Sequence, residues 1–139
     1  MWNIRPYIAE DTDSLFALVE QFATSFKTAH NAFTFSVAQM SSDEAAYLRV
    51  AEYNDSIVGY CLGFDHYTFY ANGRVAWVEE IMVNKAYRGM GIGRALMEHF
   101  EQWAASRGSK LVALATRRAE PFYVALGYER SATYFRKLL

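Results

Sequence analysis

The sequence has one cysteine, two prolines and almost no net charge. The lone Cys61 cannot close an internal disulfide, which excludes a disulfide-stapled scaffold. With 53% hydrophobic and 17% aromatic residues, so few prolines exclude a disordered or linker-rich chain. Fourteen basic against fifteen acidic residues give a formal charge of −1, without the positive field that nucleic acid or an anionic membrane surface requires. No apolar run approaches the ~20 residues of a membrane span, and the opening "MWNIRPYIAEDTD" has no signal-type apolar core. His30, His66 and His99 lack metal-ligand spacing. The expectation is a cytoplasmic protein with no metal and no nucleic-acid or membrane partner.

A chain of 139 residues fits one domain over 1–139, long enough to bury about 68% of its unfolded surface in one core. "NIRPYI" reads as a short strand. Asp11, Thr12 and Asp13, which suit a helix start, lead into a helical face of Leu15, Leu18, Val19 and Phe22. "FKTAHNAFTFSVAQMSSDEA" has no clean period and predicts a second short helix and loop over a binding surface. From Tyr47 the texture is β: "YLRVAEY", "IVGYCLGFDHYTFY" and "VAWVEEIMV", separated by turns at "NDS" and "ANGR". "GIGRALMEHFEQWAASRG" predicts an amphipathic helix closed by Gly108, followed by a buried strand "KLVALAT". A brief helix in "AEPFYVALGYE" and a final strand "SATYFRKLL" complete the order. This is an α/β fold: a mixed, mostly antiparallel sheet with one right-handed parallel βαβ crossover through the long helix.

The chemistry concentrates in "YRGMGIGRAL", where three glycines and two arginines join a strand to that helix. The dinucleotide fingerprint G-x-G-x-x-G fails here, because its third glycine falls on Arg94 or Leu96. A phosphate loop ending Lys-Ser or Lys-Thr fails too. What remains is Arg88-x-x-Gly91-x-Gly93 at a helix N-terminus, where free N–H groups and the helix dipole converge on an anion such as a diphosphate.

"VEEIMVNKAYRGMGIGRALMEHF" resembles the central signature of the GNAT superfamily of acetyl-CoA-dependent N-acyltransferases, and "AEPFYVALGYE" is similar to that family's F-Y-x-x-x-G-F/Y element. The resemblance implies an N-acetyltransferase of acyl-CoA N-acyltransferase fold, with acetyl-CoA as donor and a small-molecule primary amine as acceptor, attacked directly in a ternary complex. It assigns the coenzyme pyrophosphate to Arg88, Gly89, Met90, Gly91, Ile92, Gly93 and Arg94, and the pantetheine arm to the backbone of Ile81, Met82 and Val83. Tyr123 takes the place of the general acid for the departing thiolate. Thr116 stands where many relatives carry an asparagine that touches the coenzyme.

Of the paired Glu79 and Glu80, strict strand alternation lets only one face a given side. Glu79 matches the position of the base proposed in some small-amine relatives, with a structural salt bridge as the competing reading of either residue. Arg117 and Arg118 read as a solvated pair and Cys61 as core filler. By analogy with the family's architecture, Phe26, His30, Tyr67 and Tyr70 are expected as aromatic walls of the acceptor pocket. Equally, such aromatics could form a homodimer surface. The alternatives are acetylation of a protein lysine or N-terminus, and a non-catalytic acyl-CoA-binding module with no use for Glu79 or Tyr123.

Overall fold

A computed structural model describes residues 1–23 and 25–139. Its elements are β1 (Trp2–Pro6), α1 (Thr12–Phe22), α2 (His30–Ser41), β2 (Ala46–Tyr53), β3 (Ser56–Thr68), β4 (Gly73–Val83), α3 (Ile92–Ser106), β5 (Val112–Leu114) and α4 (Glu120–Ala125). The five strands form one sheet in the order β1-β2-β3-β4-β5. The first three pairings are antiparallel, and β4 and β5, joined through α3, are parallel. The expected mixed sheet with one crossover is therefore the observed one.

The two sheet faces bury different helices. Leu96, Met97 and Phe100 of α3 are fully buried against Ala51, Cys61, Ala76 and Val78. On the opposite face Leu15 and Leu18 of α1 pack on Val50 and Tyr60, with Leu48, Leu62 and Met82 at the margin. The α1 entry is fixed by Asp11, which receives both terminal nitrogens of Arg5 at 2.8 Å and the Ile8 N–H at 2.9 Å. The Arg5 guanidinium holds the Asp11 carboxyl below the usual carboxylate range. At the far end of α3, Asp65 of β3 pairs with Arg107 and also faces Arg74 at 3.7 Å, so β3, β4 and α3 are tied by one buried carboxylate.

Two departures from the sequence expectation matter. The final strand expected in "SATYFRKLL" is absent: residues 131–139 pair with no strand, and Phe135 and Leu139 stand fully in solvent. Strand-forming composition expresses a fit to a half-buried pleated surface, and the described residues offer this segment none. The Arg136 guanidinium donates to Ser25 Oγ at 3.0 Å.

The second departure is a β-bulge. Leu62 pairs with Glu80 while the next residue, Gly63, pairs with Val78, so Glu79 is an extra residue in β4 with no partner in β3. Gly63 is required there: a Cβ would stand 2.7 Å from the Trp77 carbonyl oxygen and run into the Phe100 ring. Gly63→Ala is expected to lower the unfolding free energy by about 1–3 kcal/mol, since both obstacles belong to a packed core and a backbone. A denaturant midpoint within error of the native protein's would show that the bulge does not need glycine.

Candidate functional site

The bulge decides what the end of β4 presents. Val78 and Ile81 both pack into the α3-side core, so the two residues between them both leave that face. Alternation would have placed Val78 and Glu80 on one side; the extra residue turns Glu80 towards α1 and α2 instead. Glu79 is exposed and accepts the indole N–H of Trp77 at 2.8 Å. Glu80 is half-buried, lines a cavity of about 320 Å³, and accepts the Tyr60 hydroxyl at 2.8 Å. Tyr60 is 1% exposed, so this bond has a rigid donor.

Burial pushes the Glu80 carboxyl above the usual range, the Tyr60 bond opposes that shift, and the neighbouring Glu79 charge adds to it. The arrangement holds a carboxylate of raised proton affinity in the lining of a mostly apolar cavity. That is the chemistry of a group able to take a proton from an ammonium ion.

The bulge also ends the pairing with β5, which matches only Ala76, Trp77 and Val78. Among the described residues no strand lies beside Glu79–Val83 on that side, so an extended chain has room to run along Ile81, Met82 and Val83. Above this opening the loop after β4 delivers Gly91, in the left-handed region at φ +88°, as the residue before α3. No side chain caps this helix, and Ala95 is the first N–H to bond, to the Gly91 carbonyl at 3.0 Å. Among the described residues the N–H groups of Ile92, Gly93 and Arg94 have no acceptor. A Cβ at Gly89 would meet nothing within 4 Å, and one at Gly91 only the Trp2 ring at 3.9 Å, so the loop beside these donors is open. Free donors, a helix dipole and bare backbone together fit a diphosphate.

The two arginines of the loop are otherwise engaged. Arg88 folds back, its Nε donating to the Val83 carbonyl at 2.9 Å, and Arg94 pairs with Glu98 one turn on. Thr116, expected at the coenzyme, accepts the Ala119 N–H at 3.1 Å and so shapes the approach to α4.

Tyr123 on α4 is 8% exposed and shares one packed cluster with Ile81, Val83 and Ile92. Its position is fixed from both ends of the helix. Pro121 occupies the first turn, Gly127 turns the chain at φ +96°, and the Tyr128 N–H returns to the Tyr123 carbonyl at 3.0 Å. The Tyr128 hydroxyl then bonds Glu101 of α3 at 2.6 Å. Phe122 closes over the start of α3, since a Cβ on Gly93 would lie 3.3 Å from its ring. Burial pushes the Tyr123 phenol up to about 12, which keeps it protonated at neutral pH.

The structure thus brings Ile81, Met82, Val83, the 88–94 loop and Tyr123 to one end of the sheet. It separates from them the four aromatics expected as pocket walls. Tyr67 and Tyr70 are exposed at the β3–β4 hairpin, Tyr67 under the Arg74 guanidinium at 4.4 Å. Phe26 is exposed, and His30 packs on Phe16 and faces Asp13 rather than the cavity. The walls are instead mainly aliphatic, with Phe33 and Tyr60 the aromatic members, and come from α1, α2, the connection between them and the sheet. Cys61 is fully buried and its thiol is pushed up to about 12, which suits core filler.

Residues 8–128 match the Acetyltransferase (GNAT) family. The chain belongs to that family. It is 30% identical over 142 residues, spanning 99% of this chain and 91% of the relative, to an aminoalkylphosphonate N-acetyltransferase of Salmonella typhimurium. Among solved structures it resembles glucosamine-6-phosphate N-acetyltransferase from Arabidopsis thaliana (TM-score 0.88, 19% identity, 99% and 98% of the two chains). It also resembles an aminoglycoside N-acetyltransferase solved with coenzyme A (TM-score 0.85, 18% identity, 99% and 95%). The fold is thus that of GNAT enzymes and the chain is an acetyltransferase of this family.

Gly91→Ala tests the anion loop. Its Cβ has room, so only the left-handed backbone is penalised, and a loss of about 1–2 kcal/mol in unfolding free energy is expected. A loss of only a few tenths would show that the loop does not need this conformation.

Proposed function

We propose that the protein transfers acetyl from acetyl-CoA to the primary amine of a small molecule by direct attack in a ternary complex. The observation that carries this reading is the meeting, at the splayed end of β4, of a bare anion loop, an open strand edge, a buried phenol and a carboxylate in the lining of a cavity. The relative named for aminoalkylphosphonate supports a small amine acceptor, as does a half-open, mostly apolar cavity of about 320 Å³ beside Glu80.

The free N–H groups of Ile92, Gly93 and Arg94 hold the coenzyme diphosphate, and the exposed edge at Ile81–Val83 pairs with the pantetheine amides. Bound acetyl-CoA supplies an activated thioester carbonyl. Glu80, in preference to Glu79, receives the proton that leaves the acceptor ammonium, and Tyr60 orients it for that task. As the new N–C bond forms and the C–S bond breaks, a backbone N–H on the open edge of β4 stabilises the oxyanion. Tyr123, kept protonated by its burial, gives its proton to the departing sulfur.

The test is amine-dependent release of coenzyme A thiol, with two variants read differently. Tyr123→Phe removes only the acid and is expected to lower kcat by about 10²-fold or more while leaving coenzyme binding intact. Full turnover in this variant would contradict its role. Tyr60→Phe removes a bond that lowers the Glu80 proton affinity, so protonation of Glu80 begins at higher pH and the acid limb of kcat/KM moves upward. The other charged groups near Glu80, its neighbour Glu79 on β4 and Lys27 in the cavity lining, are unchanged in this variant. An acid limb that stays in place would remove Glu80 from the proton path.

A further inference from the structure

The cavity's lining bears on which amines it admits. Leu15, Phe33, Val37, Leu48 and Leu62 form its body, from α1, α2, β2 and β3. Among the described residues that line it there is one carboxylate, Glu80, and one basic side chain, Lys27, in the α1–α2 connection. Its other hydroxyl and charged groups are few: Thr28, Ser36 and the already engaged Tyr60. Within the lining a ligand ammonium can therefore be neutralised at one place only, and hydroxyls beyond reach of Thr28 and Ser36, or second charges set against the apolar walls, would lose water without gaining partners.

Resting on the transfer reading for its reaction but not for its binding, we infer that the cavity selects monoamines with an apolar body. The ammonium sits at Glu80 and the carbon frame lies against the α1 and α2 side chains. Polyamines are turned away because their second cation meets Lys27 and aliphatic walls instead of a carboxylate. Amino sugars are turned away because Thr28 and Ser36 are too few to partner their hydroxyls, and a compact phosphonate because one exposed lysine is its only counter-charge in the lining and its short frame leaves the walls uncovered.

The experiment compares 2-phenylethylamine, spermidine, glucosamine and 2-aminoethylphosphonate at equal concentration. It uses two readouts on the full chain: thiol release from acetyl-CoA, and the rise in melting temperature in the presence of coenzyme A. The expected result is a kcat/KM for 2-phenylethylamine at least ~10-fold above the other three, and the largest thermal shift. Ala32→Asp adds a carboxylate at an exposed position of the lining and is expected to raise spermidine relative to 2-phenylethylamine. Equal or better performance by any of the other three in both readouts overturns the inference, as does the absence of any thermal shift. If no amine releases thiol while 2-phenylethylamine alone still stabilises the protein, the selectivity of the cavity stands and the transfer reading falls.

Discussion

Between Val78 and Ile81 the fourth strand carries one residue more than the third can pair, and the rest of the site depends on that mismatch. A regular strand would have sent Glu80 into the α3 core with Val78, where a carboxylate has no partner and a high desolvation cost. The extra residue sends it to the other face, under Tyr60 and into the cavity. The same kink ends the β4–β5 ladder after Val78 and opens the strand edge beside the anion loop. Gly63 permits all of this by leaving space for the Phe100 ring opposite the kink.

Much of this was legible in the sequence. Three hairpin-linked strands, the long helix and the parallel crossover followed from β-rich runs, turn residues and helical periodicity, which are local signals. The loop at Arg88–Gly93 was legible because its glycines serve a positive φ and a bare helix start, requirements written in residue type. The "SATYFRKLL" strand was misjudged because pairing depends on an available edge, and composition cannot report one.

For the two adjacent glutamates, family position pointed to Glu79, and strict alternation said only that one of the pair could face a given side; one unpaired residue reverses the face of everything after it and turns both away from α3. A signal was present: Gly63, an interior glycine in an otherwise apolar strand, marks a bulge or a close approach, and here it marks both. Tyr60 carried no local mark at all. Its partnership with Glu80 joins residues twenty apart across a register that the bulge itself sets. Phe26, His30, Tyr67 and Tyr70 do not line this cavity, and aromatic content does not say which end of a hairpin meets a pocket.

The central claim is that the bulge makes Glu80, and not Glu79, the group that receives the acceptor's proton. Glu79→Gln and Glu80→Gln, assayed side by side for amine-dependent coenzyme A release, test it most directly. Each substitution keeps size and removes one charge. The account predicts that kcat/KM falls by about 10²-fold or more in Glu80→Gln and stays within a few-fold of the native value in Glu79→Gln. The reverse order, or equal activity in both, would contradict it.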